Sequence, residues 1–316
     1  VPETIVMTGA TRGIGRVALD ELARRAAPGS TFVILAREPG GSALADEMSG
    51  AGHAVVSIDT DLSSLASVRA AAARLADELA HGNLPPLRTM VANAGIQHVD
   101  DLTETVDGLE STFAVNVLAN HVLLQELAPS LTAGARIVVT VSDTHFGDLR
   151  HNLGMVPGPR WPDDPSRLAR IGAFPEPSSV TAGRTAYSTS KLAAIYLVHE
   201  YARCLPAGVS IVGYNPGFVP GTDLTRHAGA LSRFAVRRIM PLMTLTPLAT
   251  SASAAGRYLA DAALGAVEVE SGGYLDRNVA ARSSEESYDE EREGRLWQAL
   301  EELHAQTPQN KTNPAP

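Results

Sequence analysis

Tyr187 and Lys191 stand four positions apart in the run Tyr187-Ser188-Thr189-Ser190-Lys191. That spacing puts both side chains on one face of a helix. A free phenol titrates near ~10 and is a poor acid–base group at neutral pH, but a nearby ammonium favours phenolate and lowers that value. The pair is therefore expected to move a proton to or from a bound molecule, with Lys191 pulling the Tyr187 pKa down. Any helix can carry such a pair by chance. The cation usage argues against chance: of 26 Lys and Arg residues only Lys191 and Lys311 are lysines, and Lys311 lies in a polar C-terminal stretch.

A second chemical feature opens the chain. Thr8-Gly9-Ala10-Thr11-Arg12-Gly13-Ile14-Gly15 follows an apolar strand-like run and begins a helical one. Glycines let a backbone turn sharply and approach a pyrophosphate closely, and the helix N-terminus offers N–H groups and a positive dipole end. A glycine-rich string by itself is equally a tight turn. The strand–loop–helix context makes Gly9, Thr11, Arg12, Gly13, Ile14 and Gly15 a candidate dinucleotide cradle. At the tip of the second strand stands Ala36-Arg37. An acid there would bind the ribose of NAD, whereas arginine accommodates a 2′-phosphate. Arg37 and Arg12 could both reach that phosphate, so NADP(H) is the expected cofactor. The alternative is two surface arginines, with Glu38 one residue too far along to be the obvious ribose acid.

The elements that must position these groups alternate. Strands are predicted at Thr4–Met7, Thr31–Ala36, Ala54–Ile58, Thr89–Ala92, Arg136–Val141 and Val209–Gly213. Helices are predicted at Ile14–Ala27, Ala43–Gly50, Ser64–Ala80, Asp107–Leu127, Tyr187–Cys204 and Ala249–Ala262. Such alternation implies right-handed crossovers and a Rossmann-type, doubly wound parallel sheet with helices on both faces, an α/β fold. An acidic amphipathic helix is expected over Glu285–Glu302, and a disordered tail over 306–316, leaving 1–305 as a single domain.

The composition bounds the rest. The 316 residues are 44% hydrophobic and 19% charged, enough for a sizeable core and unlike a disordered chain. A formal net charge of −9 argues against a nucleic-acid binder. A single cysteine, Cys204, excludes an internal disulfide and a thiolate zinc site, and no metal is expected. No apolar run approaches the roughly 20 residues of a membrane span, and a cytoplasmic location is expected.

The order of motifs resembles the short-chain dehydrogenase/reductase family. The glycine string, Asp61-Leu62, Asn93-Ala94-Gly95, Asn116, Ser142, Tyr187/Lys191 and Asn215-Pro216-Gly217 occur in family order, from about Thr4 to Asn278. Ala36-Arg37, Asp107-Gly108-x-Glu110, Ser271-Gly272-Gly273-Tyr274 and Arg295-Leu296-Trp297 are similar to the branch holding retinol dehydrogenases and protochlorophyllide reductases. The resemblance implies catalytic roles. Tyr187 would donate or remove the proton, and Ser142 would place the substrate oxygen. Lys191 would tune the phenol and hold the nicotinamide ribose, with Asn116 in a proton relay to it. It also implies a cofactor cleft. Asp61 and Leu62 would lie at the adenine, Asn93, Ala94 and Gly95 along the cleft, and Pro216, Gly217, Val219 and Thr222 at the nicotinamide amide. The expected activity is NADPH-dependent reduction of a ketone or aldehyde of moderate size, with a polyketide-like ketone of secondary metabolism as one expected substrate. Alcohol oxidation by the same residues and a non-catalytic NADP(H) sensor are the alternatives. The small-molecule substrate is the expected partner, and the chain is expected to be a homodimer or a monomer.

Two segments depart from the usual family pattern. Ser142 and Tyr187 are separated by an extended stretch, 147–181, rich in Pro and Gly, which exceeds ordinary connection lengths. Met155, Trp161 and Phe174 in it are expected to wall a substrate pocket, the other reading being a surface loop. Residues 221–248 are expected to form a substrate lid, or else a basic amphipathic surface. Thr144, His145, Trp161 and Phe218 are the candidate substrate residues, and for His145 a structural role is an equal reading.

Overall fold

The computed structural model describes residues 1–98, 102–152, 154, 156–220 and 249–306. The expected lid, with Thr222, the expected wall residue Met155 and most of the expected tail lie outside the described residues. The last helix, Glu290–Gln306, closes the described chain one residue beyond the expected domain end.

Eight strands form one sheet in the order β3-β2-β1-β4-β5-β6-β7-β8. They are β1 (Thr4–Thr8), β2 (Thr31–Ala36), β3 (Ala54–Asp59), β4 (Leu87–Ala92), β5 (Leu131–Thr140), β6 (Ser210–Asn215), β7 (Tyr274–Asp276) and β8 (Val279–Ala281). All pairings are parallel except β7 with β8. The central strand β1, Thr-Ile-Val-Met-Thr, is buried along its whole length. Parallel strands covered on both faces need that unbroken apolar character.

Two helical layers cover the sheet. Helices α1 (Gly13–Arg25), α2 (Gly40–Gly50) and α8 (Ala252–Ala263) enclose one core with Leu19, Leu22, Met48 and Leu259. On the other face α3 (Leu65–Ala80), α5 (Ala119–Leu127) and α7 (Val180–Cys204) enclose a larger core. Ser64 caps α3 by accepting from the Ser67 N–H at 3.4 Å. Helix α5 is preceded by the short α4 (Ser111–Phe113) and a π-helical stretch, Ala114–Leu118. Glu110 starts this run by accepting from the N–H groups of Thr112 and Phe113.

Helix α9 (Glu290–Gln306) lies along the outside of α5 and α7. Trp297 meets the rings of His121 and Tyr201 edge-on at 5.1 and 5.0 Å. Glu293, 1% exposed, is bound by His199 Nδ1 at 2.6 Å and by Arg203. A buried carboxylate needs such partners.

The 147–181 segment is mostly not a free loop. It contains α6 (Leu149–Asn152) and two 3₁₀ turns, Pro165–Ala169 and Ile171–Ala173. Leu168, Ala169 and Phe174 are buried in the larger core, and Ala169 O accepts from Glu110 N–H at 2.9 Å. Phe174 is thus a core residue rather than a pocket wall. Trp161 packs edge-on against Tyr196 at 4.9 Å, and the neighbouring Arg160 N–H bonds Thr189 Oγ1 at 3.0 Å. These contacts anchor Trp161 and its segment on α7, with the indole still partly exposed.

Candidate active site

The strand order reverses between β1 and β4, and in open α/β sheets ligands bind beyond the carboxyl ends of strands at such a switch point. Both expected cofactor loops leave from there. Thr8 Oγ1 accepts from Ala94 N–H at 3.1 Å, and Gly9 O accepts from Asn93 Nδ2 at 3.2 Å. Gly9 has φ +68°, and a Cβ placed on it would lie 2.8 Å from Ala94 N. A Cβ on Gly15 would lie 2.0 Å from Gly9 O. The two loops interlock so closely that only hydrogen fits at these positions. This is the backbone cradle that a pyrophosphate requires.

Arg12 takes the N-cap position of α1 and contributes no side-chain hydrogen bond to the helix start. Thr11, Arg12 and Gly13 are exposed at the loop tip, while Ile14 packs into the smaller core. Arg37 is exposed at the end of β2. The turn that follows it faces the glycine loop, since a Cβ on Gly40 would sit 3.8 Å from Thr11 Cγ2. Glu38 is engaged elsewhere: its carboxylate accepts from Ser42 N–H and Oγ at 3.1 and 2.5 Å and from Ser57 Oγ at 3.3 Å. Those bonds hold its pKa below the usual carboxylate range. Asp61 closes a turn by accepting from Ser63 N–H and Oγ at 3.0 and 2.7 Å, and Leu62 rests against the larger core.

The four expected catalytic residues converge from three places: α7, the end of β5 and the π-helical stretch. Lys191, 3% exposed, donates to Thr140 O at the end of β5 at 2.9 Å, and its Nζ lies 5.6 Å from the Tyr187 ring centre. Ser142 follows β5, and its Oγ donates to Asp143 Oδ1 and accepts from Thr144 N–H, both at 3.3 Å. Asn116 sits in the π-helical turn. Its Oδ1 accepts from Ile96 N–H at 2.9 Å, and its Nδ2 donates to Ile96 O and Ser190 Oγ, both at 3.0 Å. A π-turn breaks the regular ladder and recurs at functional sites. Gly95 is exposed beside this cluster, where a Cβ would come within 3.5 Å of Lys191 Nζ.

Tyr187 lies two turns inside α7 rather than at its start. Ser179 caps the helix by accepting from Ala182 N–H at 3.1 Å, so the end of the long segment extends α7 by seven residues.

The titration of the pair differs from the expectation that lysine lowers the phenol. Burial pushes Tyr187 up to about 12; the Ser142 bond opposes the shift, and the Asp143 charge adds to it. Burial also pushes Lys191 down to about 8. Removing both groups from water disfavours phenolate and ammonium alike. Lys191 is directed at a carbonyl of β5 instead of the phenol oxygen. At neutral pH the phenol is therefore in its proton-donor form.

Beyond β6, Asn215 organises the next loop. Its Oδ1 accepts from Asp143 N–H at 3.1 Å and Gly217 N–H at 3.0 Å, and its Nδ2 donates to Asp276 Oδ1 at 3.0 Å. Pro216, Gly217 and Phe218 are partly exposed there, while Val219 is buried. Phe218 O is held by Thr250 N–H at 2.8 Å.

Among the substrate candidates, His145 is not available to a ligand. It has no exposed surface, its Nδ1–H donates to Ser142 O at 2.5 Å, and its Nε2 accepts from Ser284 N–H at 3.0 Å. Burial holds it neutral, with its pKa pushed down to about 4. His145 thus fixes the backbone of Ser142 from behind. Thr144, 7% exposed, donates its N–H to Ser142 Oγ at 3.3 Å. Three site residues escaped the sequence reading: Thr140 and Ser190, which only the fold brings to Lys191 and Asn116, and Asp143. The last stands next to Ser142 in sequence and was open to view.

Comparison with known proteins agrees with this geometry. The family model described as short chain dehydrogenase matches residues 3–151, and one described as AcuH dehydrogenase domain matches residues 222–312. A Streptomyces protein named as a daunorubicin C-13 ketoreductase, DnrU, is 32% identical over 94% of this chain and 90% of its own length. Human retinol dehydrogenase 13 is 30% identical over 93% of this chain and 82% of its own length. Oxidoreductase calI of Penicillium decumbens is 30% identical over 71% of this chain, a match that spans 60% of that protein. A solved structure of an uncharacterized protein from Mycobacterium paratuberculosis superposes with a TM-score of 0.67 at 25% identity, covering 96% of each chain. A short chain dehydrogenase from Burkholderia cenocepacia, solved with NADP, gives 0.56 at 26% identity over 82% of this chain and 89% of that one.

Fold and relatives together define an oxidoreductase of the dinucleotide-binding α/β class. The chain belongs to the short-chain dehydrogenase/reductase family, in its retinol dehydrogenase-like branch.

Proposed function

We propose that the chain is an NADPH-dependent carbonyl reductase acting on a ketone or aldehyde of moderate size. The observation that carries this reading is the convergence of the buried Tyr187 with Lys191, whose Nζ lies 5.6 Å from the tyrosine ring centre, and with Ser142 just beyond β5. Bound NADPH would supply the hydride. The chain's own groups would do the rest. Ser142 and Tyr187 would hydrogen-bond the carbonyl oxygen, and Tyr187 would deliver its proton as negative charge develops there. Lys191 would stabilise the phenolate left behind, and Asn116 would keep Ile96 and Ser190 in place around it.

The residues present fit the cofactor. The glycine loop is open beside Gly13, where a Cβ would meet nothing within 4 Å, and that is the start of α1 where a pyrophosphate would sit. Arg12 and Arg37 are exposed on adjacent turns where a 2′-phosphate would lie, and Glu38 is committed to Ser42 and Ser57. The NADP named for the Burkholderia neighbour supports the same choice, and the ketoreductase name of the Streptomyces relative supports a ketone. Residues 1–305 would act as one catalytic domain.

Arg37→Asp tests the cofactor assignment. A hydrogen bond to a charged group is worth about 1.5–3 kcal/mol, so NADPH affinity should fall roughly 10–100-fold. NADH affinity should stay within a few-fold. Equal losses for both cofactors in a binding titration would overturn the assignment.

A further inference from the structure

Arg277 opens the two-residue loop between β7 and β8, where Asp276 pairs with Val279. Its φ is +58°, in the left-handed region. Among the described residues only Glu176 is another non-glycine residue with positive φ. A hairpin that turns this way at its first loop position is normally given glycine there, because a Cβ in that region is strained. A long side chain kept at such a position points to a use for the side chain.

That side chain turns back onto the loop after β6. Its Nε donates to Thr250 Oγ1 at 2.9 Å. A Cβ on Gly217 would lie 2.8 Å from Arg277 Nε and 3.1 Å from its Nη2, so the guanidinium rests directly against the glycine Cα. The Arg277 N–H donates to Asn215 O at 2.8 Å, and Nη1 lies 3.5 Å from Asp276 Oδ2. Thr250, 6% exposed, donates its own N–H to Phe218 O at 2.8 Å. Residues 216–219 form neither helix nor strand, so these few bonds set their path. Arg277 is the residue that joins the end of β6, the glycine and Thr250.

We infer that Arg277 is a positioning residue for the nicotinamide end of the cofactor: its guanidinium holds Gly217 and Thr250 in place, so that the loop after β6 offers the nicotinamide amide one fixed backbone. It acts through those two residues. The inference rests on the reading of the cleft as an NADPH site. Arginine suits the task because its planar fork bonds Thr250 through one nitrogen while another packs on Gly217.

The test compares wild type with Arg277→Gly, which suits the backbone angle and removes only the side chain, and with Arg277→Asn, which also tolerates that angle. Calorimetric titrations use NADPH and 2′-phospho-ADP-ribose, which is the cofactor without its nicotinamide. Both variants should bind NADPH about 10-fold more weakly and the analogue within about twofold of wild type. At saturating NADPH, kcat for benzil reduction should fall about 10–100-fold, as expected for a slightly misplaced reactant. Guanidinium chloride at low millimolar concentration should recover at least about threefold of both losses in Arg277→Gly. Sodium chloride at equal ionic strength should recover neither. A general loss of fold would weaken both ligands alike and would not respond to guanidinium. Equal losses for NADPH and the analogue, or wild-type NADPH affinity in both variants, would overturn the inference. A wild type that turns over no carbonyl counts against the reductase reading instead, and the paired titrations still decide the role of Arg277.

Discussion

Tyr187→Phe should reduce carbonyl turnover by about 10²–10⁴-fold while NADPH affinity stays within a few-fold. The change removes one oxygen and keeps the ring. The ring is buried in α7, and its neighbours Lys191 and Ser142 are held by Thr140 O and by Thr144 N–H. Neither bond depends on the phenol, so the site should keep its shape and lose only its proton donor. The loss should fall on kcat and kcat/KM together, the sign of an interaction made in the transition state. Turnover by Tyr187→Phe close to wild type would mean that another group delivers the proton. An equal loss of NADPH binding would mean that the tyrosine serves the cofactor rather than the chemistry.

Gly15→Ala should weaken NADPH binding by about 10–100-fold and lower the melting temperature. The added Cβ would lie 2.0 Å from Gly9 O and 2.6 Å from Asn93 Nδ2. The oxygen belongs to backbone and has no rotamer to escape into, so the glycine loop must move. Overpacking of this kind costs about 1–3 kcal/mol. The shift would also break the Asn93–Gly9 bond that joins the loops after β1 and β4. The effect is local to the cradle, so a nicotinamide fluorescence titration should register it more strongly than a thermal melt. A variant with wild-type NADPH affinity would show that the loop does not hold the pyrophosphate.

Much of this architecture is legible in the chain. Unbroken apolar runs announce β1 and β2, because a parallel sheet covered on both faces asks nothing else of its strands. The glycine loop, Asn93-Ala94-Gly95, Ser142 and the Tyr187/Lys191 pair announce the site, because each carries its own local chemistry. What escaped depends on distant partners. The three-residue strands β7 and β8 are too short to show a period, and only pairing with β6 makes them strands. The start of α7 moved to Val180 because Ser179 caps it, although 147–181 reads as a proline- and glycine-rich loop. Phe174 looks like a pocket wall by composition and is a core residue by contact, while Trp161 packs on α7 with part of its surface exposed. The phenol shift has the opposite sign to expectation because sequence spacing brings the ammonium near but says nothing about burial or Asp143.

The central claim is that the interlocked glycine loop and the two exposed arginines select a phosphorylated nicotinamide cofactor for carbonyl chemistry. Parallel titrations of the purified protein with NADPH and NADH, followed by nicotinamide fluorescence, test it most directly. NADPH should bind at least about tenfold more tightly, the equivalent of about 1.4 kcal/mol. Equal or tighter binding of NADH would contradict the claim for Arg12 and Arg37, and binding of neither cofactor would contradict the account of the site as a whole.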